Sequence, residues 1–234
     1  MKIITLNTAL APWSLTRRKR LPLICSVLLR EKPNIVALQE VFFKKDAEYL
    51  KSVFFKKGFI HSFHCKTLLF ISKVPLYNCK YFEFKTQGPL FSWALLDRLY
   101  KKAYQIAELR LGKNRLILIN THLLSANGMD KGVYEIIRKK QFLEIINKLK
   151  AFKKKKIIIT GDFNFDINTK VYNLIDEHSL IDPLRNIFGN TFIGSKYRLD
   201  HFFLKNFDKK NIKCKIISKK AWPSDHYGLK LSFI

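Results

Sequence analysis

The sequence predicts an α/β fold in which two mixed β-sheets pack face to face with helices outside, a four-layer α/β sandwich. The chain has 234 residues, of which 47% are hydrophobic, and this is enough to bury one core of ordinary domain size. Short apolar strands come in pairs in its middle, while helices follow an early and a late strand. The sequence has no repeat and no Gly/Ser/Pro-rich linker, so residues 1–234 are predicted to form one domain.

The first quarter of the chain is predicted to alternate strands and helices. Its strands are continuous apolar runs, as buried strands are. Its first helix ends before Pro33, because the residue ahead of a proline disfavours helical geometry. Its second helix places Ala47, Leu50 and Phe54 on one face. In order, the elements are a strand at 2–8, a helix at 21–31, a strand at 34–39 and a helix at 44–55.

The remainder is predicted to be mainly β-structure. Residues 104–111 and 115–123 flank Gly112-Lys113-Asn114, which is typical of a hairpin turn. Residues 133–150 have the apolar spacing of a long amphipathic helix. The other predicted elements are strands at 59–67, 68–73, 80–85, 156–160, 199–204, 213–217 and 227–233, and a short helix at 171–178.

The chain is strongly basic, with a formal net charge of +26. Such a charge attracts polyanions, either nucleic acid or an anionic membrane surface. The basic residues are mostly Lys, and Phe and Ile are also abundant, a bias that an A/T-rich coding sequence produces by itself. The charge therefore leaves the choice between a phospholipid and a nucleic-acid substrate open.

Cysteine spacing and hydropathy bear on where in the cell the protein is expected. The four cysteines lack C-x-x-C spacing, which disfavours a zinc cluster and predicts free thiols. Apolar runs stay shorter than the ~18 residues of a membrane-spanning helix. The N-terminus fits a signal peptide poorly, because Thr5, Asn7 and Thr8 interrupt its apolar region. We therefore expect a cytoplasmic protein by default, with non-classical export left open and no obligate protein partner.

Polar side chains lie at or next to the ends of apolar strands at six places that are far apart in the sequence. One such residue alone is more often a turn or a helix cap. Six of them predict a single cleft at the strand ends. Their carboxylate and amide oxygens suit a hard cation, Mg²⁺ with Mn²⁺ as the alternative. The positions are Asn7, Glu40, His122, Asp162 with Asn164, Asp200, and Asp225 with His226.

These positions lie in short motifs whose order resembles that of the endonuclease/exonuclease/phosphatase superfamily. The resemblance runs from the first predicted strand to the last and implies that family's four-layer α/β sandwich. The motifs are Leu6-Asn7, Leu38-Gln39-Glu40-Val41, Asn120-Thr121-His122-Leu123, Gly161-Asp162-Phe163-Asn164, Arg198-Leu199-Asp200-His201 and Ser224-Asp225-His226.

Within the superfamily, the chain most resembles the neutral sphingomyelinases. Asp97 and Lys102 are similar to an Asp and Lys pair of that group with the same spacing, although Lys101 replaces the glycine before the lysine. His122 stands where the abasic-site nucleases carry a tyrosine. Further similar segments are 40–42, 46–50, 72–76 and 189–191.

The resemblance implies a phosphodiesterase that uses metal-assisted, in-line attack of water on a phosphate ester. The implied metal ligands are Asn7, Glu40 and Asp225. The implied catalytic residues are His122, Asp162, Asn164, Asp200 and His226, with His226 as general base and Asp200 orienting it. The implied substrate-binding residues are Asp97, Lys102 and Asn164.

Four functions remain open at this point. A sphingomyelinase-like phospholipid phosphodiesterase is favoured over a DNase I-like endonuclease, a phosphoinositide-type phosphatase and an inactive module that binds membranes or nucleic acid. Other residues receive structural interpretations. Arg138 and Gln141 are expected on a solvated helix face, Trp13 and the run at 91–96 are expected to pack, and His61, His64, His178 and His201 are expected to be structural or exposed.

Overall fold

The computed structural model describes residues 1–89, 95–112, 114–125, 133–187, 189–217 and 222–233. The strands are β1 Lys2–Leu10, β2 Ile35–Val41, β3 His61–Cys65, β4 Leu68–Ser72, β5 Tyr77–Glu83, β6 Ala103–Leu111, β7 Asn114–His122, β8 Lys156–Asp162, β9 Asp200–Lys205, β10 Ile212–Ile217 and β11 Gly228–Phe233. The helices are α1 Arg17–Arg30, α2 Lys44–Phe55, α3 Leu95–Tyr100, α4 Val133–Leu149 and α5 Leu174–Glu177, with 3₁₀ turns at Lys150–Phe152, Lys170–Asn173 and Lys209–Asn211.

The strands form two mixed sheets. The first has six strands in the order β10-β11-β1-β2-β4-β3, and the second has five in the order β5-β6-β7-β8-β9. Strand β1 is parallel to β2, and β7 is parallel to β8. Each parallel pair ends at one edge of its sheet, so the residues at the carboxyl ends of the two strands become neighbours.

The apolar core between the sheets follows from the alternation of side chains along each strand. Ile3 and Ile35 of the first sheet share one buried cluster with Leu118 and Ile158 of the second sheet. The sheets therefore pack face to face.

The opposite faces of both sheets are covered by helices. Ile4 and Val36 pack beneath α1 and α2, while Ile117 and Ile159 pack beneath α4. This arrangement of helices, sheet, sheet and helix confirms the predicted four-layer α/β sandwich.

Several predicted boundaries were wrong. Helix α1 begins at Arg17, one turn before the predicted start, and contains Pro22. The extra turn is anchored by contacts distant in sequence, since Arg17 lies 3.2 Å from Asp46 of α2. Helix α3 was not predicted, and the helix expected at 171–178 consists of a 3₁₀ turn followed by α5. Among the described residues, no helix has both the length and the apolarity needed to cross a bilayer.

Two predictions about exposure were also wrong. Arg138 and Gln141 were expected on a solvated face, but both are buried. The Gln141 side chain accepts a hydrogen bond from the Leu124 amide and donates one to the Thr86 carbonyl. Trp13 was expected to pack, but it is 61% exposed. Part of the apolar run at 91–96 lies outside the described residues, since they omit 91–94.

Candidate active site

The polar cleft is the open end of the core between the two sheets. On β1 the inward-facing series runs Ile3, Thr5, Asn7, and on β8 it runs Ile158, Thr160, Asp162. Along each strand the inward positions thus change from apolar to polar toward the carboxyl end. The β-sheet register places Asp162 beside both His122 and Asp200. The sequence motifs on the second sheet therefore meet at adjacent positions.

Glu40 departs from this alternation. Its neighbour Gln39 is the inward residue, so a regular strand would direct Glu40 to the helix-covered face. Instead, Glu40 has a positive φ of 59°, a left-handed backbone conformation that is uncommon for residues other than glycine. Its Oε1 atom then accepts a hydrogen bond of 3.1 Å from Asn7 Nδ2. The backbone irregularity thus brings the carboxylate into the cleft.

Asn7 connects the two sheets. Its Nδ2 atom donates to Glu40 Oε1 and also to Asp162 Oδ2, the second at 2.9 Å. Its Oδ1 atom accepts from the Ala9 amide at 3.0 Å. The Asn7 amide group therefore fixes Glu40 and Asp162 relative to each other.

Arg20 supports the same region from α1. Its guanidinium donates to the carbonyls of Thr8, Ala9 and Pro223. The first two residues follow Asn7, and Pro223 lies three residues before His226. Arg20 thus connects β1, which carries Asn7, to the segment that carries His226, the predicted general base. Strand-end reasoning missed it, because its partners are backbone atoms that no sequence pattern marks.

His226 and Asp200 form a buried pair. His226 Nδ1 lies 2.8 Å from Asp200 Oδ2, and His226 Nε2 lies 3.7 Å from Asp162 Oδ2. Burial by itself lowers the pKa of His226, but the carboxylates of Asp200 and Asp162 outweigh burial and raise this pKa to about 10. The geometry fits a histidine that is oriented by one carboxylate and presents its other nitrogen to the cleft.

Asp162 occupies the centre of the site. Its Oδ1 atom accepts from the Asn164 amide at 2.9 Å, while Oδ2 accepts from Asn7. Burial, reinforced by the Asp200 charge, raises the pKa of Asp162 to about 7. The Asn164 side chain donates to the Leu123 carbonyl at 3.1 Å, so Asn164 also braces the backbone next to His122.

His122 lies on the side of the cleft opposite His226. Its Nε2 atom is 3.4 Å from Asp162 Oδ2 and 2.8 Å from Lys102 Nζ. Burial, together with the Lys102 and His226 charges, holds the pKa of His122 well below its usual value. His122 is therefore neutral at pH 7, and its Nε2 accepts from the Lys102 ammonium.

Lys102 is held in turn by Asp97. Asp97 Oδ1 lies 3.1 Å from Lys102 Nζ, and Asp97 Oδ2 accepts from the Ser125 amide at 2.8 Å. The pair with five-residue spacing is therefore part of the cleft wall, since it links α3 and β6 to the loop after His122.

Asp225 is the exposed member of the set. Its backbone carbonyl accepts from the Ile193 amide at 2.8 Å, and its negative charge helps to raise the pKa of Glu40, after the larger effect of burial. Asp225 thus lies at the opening, close enough to Glu40 to act on it electrostatically. The structure brings all ten predicted site residues to one cleft.

The donor set fits a divalent cation. Glu40 and Asp225 offer carboxylate oxygens of the kind that Mg²⁺ and Mn²⁺ prefer. Asn7 was predicted as a further ligand, but its Nδ2 atom faces Glu40 while Oδ1 accepts from the Ala9 amide, so its amide would have to turn over to offer an oxygen. Asp162, Asp200 and His226 also offer ligand atoms that lie within 4.8 Å of one another. In that second group, however, His226 Nδ1 already contacts Asp200, which suits a base and its orienting carboxylate better than a metal centre. Glu40 is therefore the better candidate for the ligand.

One cross-sheet contact at the floor of the site was not predicted. Gln39 Nε2 donates to Asn120 Oδ1 at 2.6 Å, and Asn120 Nδ2 donates to the Leu38 carbonyl at 3.0 Å. Both residues are fully buried and lie at inward positions of β2 and β7. The signal was present, because each is a polar residue at an inward position of an apolar strand.

Comparison with known proteins agrees with this geometry. The model of the endonuclease/exonuclease/phosphatase family matches residues 4–226. A Drosophila melanogaster protein that carries the provisional name neutral sphingomyelinase is 28% identical over 257 residues, covering 100% of this chain. The chain spans only 58% of the length of that relative.

Two solved structures share the fold. One is the beta toxin of Staphylococcus aureus, in a double mutant with bound magnesium ions, which has a TM-score of 0.82 at 17% identity and covers 100% of this chain and 99% of its own. The other is TDP2 of D. rerio complexed with a single-strand DNA product, which has a TM-score of 0.77 at 19% identity and covers 100% of this chain and 98% of its own. At these identities, the similarity concerns the fold.

Proposed function

Because the chain belongs to the endonuclease/exonuclease/phosphatase family, a class of phosphoric-ester hydrolases, we propose that it is a magnesium-dependent phosphodiesterase of the sphingomyelinase type. The observation that carries the proposal is the position of Asp162, which lies between Glu40, the proposed metal ligand, and His226, the proposed base. Asn7 bridges Asp162 to Glu40, and His226 faces Asp162 from the other side.

The lipid substrate is supported by two features. Asp97 and Lys102, whose spacing resembles that of the neutral sphingomyelinases, reach the cleft through His122. The Drosophila melanogaster relative that aligns with the whole chain carries a sphingomyelinase name. The substrate would accordingly be a phospholipid with a phosphodiester between its lipid part and its headgroup.

In this mechanism, His226 Nε2 removes a proton from the attacking water while Asp200 holds the imidazole in place and stabilises its protonated form. Asp162 aligns the water. His122 and Lys102 lie on the opposite wall, where the Lys102 ammonium, positioned by its contact with His122 Nε2, donates to the phosphate or to the leaving oxygen. Glu40 and Asp225, with Asn7 beside them, would hold a divalent ion that would supply Lewis-acid stabilisation of the negative charge on the phosphate and would lower the pKa of His226.

A substrate panel tests the proposal. The full chain is incubated with sphingomyelin in detergent micelles, with supercoiled plasmid and with phosphoinositides, in Mg²⁺ or in chelator. We expect Mg²⁺-dependent release of phosphocholine and intact plasmid, and no release by the His226→Ala variant.

Each other outcome identifies a different function. Plasmid nicking without phosphocholine release would establish the DNase I-like alternative. The net charge of +26 favours that alternative, because it attracts the phosphate backbone of nucleic acid. Release of inorganic phosphate from phosphoinositides would establish a phosphatase. Binding of lipid or DNA without any hydrolysis would establish an inactive module.

A further inference from the structure

A second, cationic cleft lies between the starts of α1 and α2, beside the catalytic opening. We define the α1–α2 cleft by the side chains that line it, Arg17, Arg18, Phe43, Lys44, Lys45 and Tyr49. It has a volume of about 670 Å³. Four of its six defining residues are cationic, and the carboxylate that also lines it, Asp46, is buried. An anion is therefore the complementary ligand.

Arg17 carries guanidinium donors that no described group satisfies. Its guanidinium stacks on Phe43 at 3.8 Å, and its Nε atom lies 3.2 Å from Asp46 Oδ2 without hydrogen-bond geometry. Within the described part of the chain, Arg17 Nε and Nη1 are buried without a hydrogen-bond partner. Such unsatisfied donors are uncommon, and phosphate oxygens are the acceptors that a guanidinium binds best.

The cleft is coupled to the catalytic site through short segments of chain. Phe43 follows Glu40 by three residues, and Arg20, one turn after Arg17, donates to the backbone just after Asn7. An aromatic row continues across the opening, since the Trp13 and Phe42 rings are 6.2 Å apart and the Phe42 and Tyr100 rings 4.7 Å apart. The row ends two residues before Lys102, so it borders both sites.

The side chains that border the cleft and the row point to lipid and not to nucleic acid. Leu15 is completely exposed and Leu99 is 67% exposed. Aliphatic side chains find no partner on the phosphate–sugar backbone of a nucleic acid, whereas they can enter the apolar part of a membrane. Exposed Trp13, with an apolar ring and a polar N–H, is the type of residue that lies at a membrane–water interface. Basic and apolar side chains together are typical of surfaces that lie on anionic bilayers.

We propose that the α1–α2 cleft binds the phosphate of an anionic phospholipid and docks the catalytic opening on an anionic membrane, with Trp13, Leu15 and Leu99 entering the interface. This inference rests on the proposed phospholipid substrate, because docking matters to an enzyme whose substrate lies in a bilayer. The anionic lipid is distinct from the substrate and is not hydrolysed in this cleft.

Vesicle sedimentation with the full-length His226→Ala protein tests the docking without turnover. The vesicles contain phosphatidylcholine alone or with about 30% phosphatidylserine. We expect binding to the anionic vesicles. Binding should be about 100-fold weaker after Arg18→Gln, Lys44→Gln and Lys45→Gln together, since each basic residue contributes about a factor of five at an anionic surface. Arg17 is left unchanged, because it pairs with the buried Asp46 and replacing it could unfold the chain.

Lys153→Gln, Lys154→Gln and Lys210→Gln form the matched control with the same charge change. These exposed residues lie at the amino end of β8 and before β10, away from the carboxyl ends that form the site. Equal weakening by both triple variants would mean that only net charge matters and would overturn the proposal. Equal binding to both vesicle types would also overturn it, as would a cleft variant that loses binding to a DNA duplex but not to vesicles.

Activity separates this proposal from the proposed function. The cleft variant should hydrolyse sphingomyelin in neutral detergent micelles at the wild-type rate. If micellar sphingomyelin is cleaved but anionic vesicles are not bound, the docking proposal fails alone. If vesicles are bound through the cleft but no substrate is cleaved, the proposed function fails alone.

Discussion

His226 is the residue on which turnover should depend most. Its Nδ1 contact to Asp200 fixes the ring, and His226→Ala removes the base. We expect turnover to fall by roughly 10² to 10⁴, the usual contribution of a general base. Asp200→Asn should lower turnover with little change in KM, because it loosens the ring without contacting substrate. A folded His226→Ala enzyme with the wild-type rate would contradict the assignment.

Glu40 should determine the metal dependence. In Glu40→Gln the neutral amide is a weaker Mg²⁺ ligand, so we expect a tenfold or larger rise in the Mg²⁺ concentration that gives half-maximal activity. Burial raises the pKa of Glu40 in the absence of metal, so the metal-free variant should be at least as thermally stable as the wild type. Glu48→Gln, an exposed change on α2, is the matched control. An unchanged Mg²⁺ titration would exclude Glu40 as the ligand.

Most site residues could be predicted individually from their position at the end of an apolar strand. Asn7, His122 and Asp162 follow from apolar runs that end in polar side chains, and Asp200 from the start of the strand paired antiparallel with β8, because such positions lie at the open end of the core. Glu40 was also identified as a polar strand-end residue, but side-chain alternation directs it away from the cleft, and no sequence pattern predicts the positive φ that brings it back. The ring orientation of His226 and the support from Arg20 depend on tertiary contacts more than 20 residues distant, which local patterns do not encode.

At the scale of elements, Gly161 sets the distance between β7 and β8. A Cβ atom there would lie 2.0 Å from the Thr121 carbonyl oxygen, and its φ is +139°. Gly161→Ala therefore requires the two strands that carry His122 and Asp162 to move apart. We expect a loss of about 3 kcal/mol or more in the free energy of unfolding, measured by denaturant titration.

Gly58→Ala separates steric overlap from backbone strain. Gly58 also has a positive φ, of +82°, but open space surrounds its Cβ position. The expected loss is about 1 kcal/mol. Equal losses in the two variants would mean that the close approach of β7 and β8 is not the cause.

The end of α1 is joined to the first sheet by Glu31. Its carboxylate lies 2.8 Å from Lys230 and 3.3 Å from Lys215. The hydrogen bond from Lys230, followed by the charges of both lysines, lowers the pKa of Glu31 to about 2. A lowered folded-state pKa contributes stability that is complete above the unfolded pKa, near 4.5, and is lost as the pH falls through the folded value.

We therefore expect Glu31→Gln to destabilise the protein by about 1–2 kcal/mol at pH 6. The difference from wild type should shrink as the pH falls below about 4.5. Urea unfolding of both proteins at several pH values measures this difference. A gap that stays constant down to pH 3 would show that the carboxylate charge is not responsible.

Element prediction succeeded where local pattern and tertiary packing agree. The hairpin of β6 and β7 and the helix α4 each have a clear sequence pattern and matching tertiary contacts. The extra turn of α1 was missed because its support comes from Asp46 and from backbone carbonyls of distant segments. The burial of Arg138 and Gln141 was missed for the same reason, since their partners belong to the loop after His122 and to Thr86.

At the scale of the whole molecule, the cleft depends on the relative position of the two sheets. Asn7 and Glu40 belong to the first sheet, and His122, Asp162 and Asp200 belong to the second. Among the described residues, contacts such as those of Asn7 with Asp162 and Gln39 with Asn120 join the two sheets at the site. The packing of the two sheets, which stabilises the fold, therefore also sets the distance between Glu40 on the first sheet and Asp162 on the second.

The excess of positive charge acts on the molecule as a whole. The chain has 44 Lys and Arg against 18 Asp and Glu, so even complete one-to-one pairing leaves 44 − 18 = 26 cations. Self-repulsion of this size destabilises the compact state. Salt shortens the screening length from about 30 Å at 0.01 M to about 8 Å at 0.15 M, so the repulsion should weaken over this range.

We therefore expect the Tm of the metal-free protein to rise by about 3 °C or more when NaCl is raised from 0.01 to 0.15 M, since ~1 kcal/mol shifts Tm by ~2–4 °C at this chain length. Differential scanning calorimetry measures it. The Lys153→Gln, Lys154→Gln and Lys210→Gln variant should have a higher Tm in low salt and a smaller rise, because three repelling charges are gone. A Tm that falls with salt would mean that ion pairs such as Glu31 with Lys230 outweigh the repulsion among the excess cations.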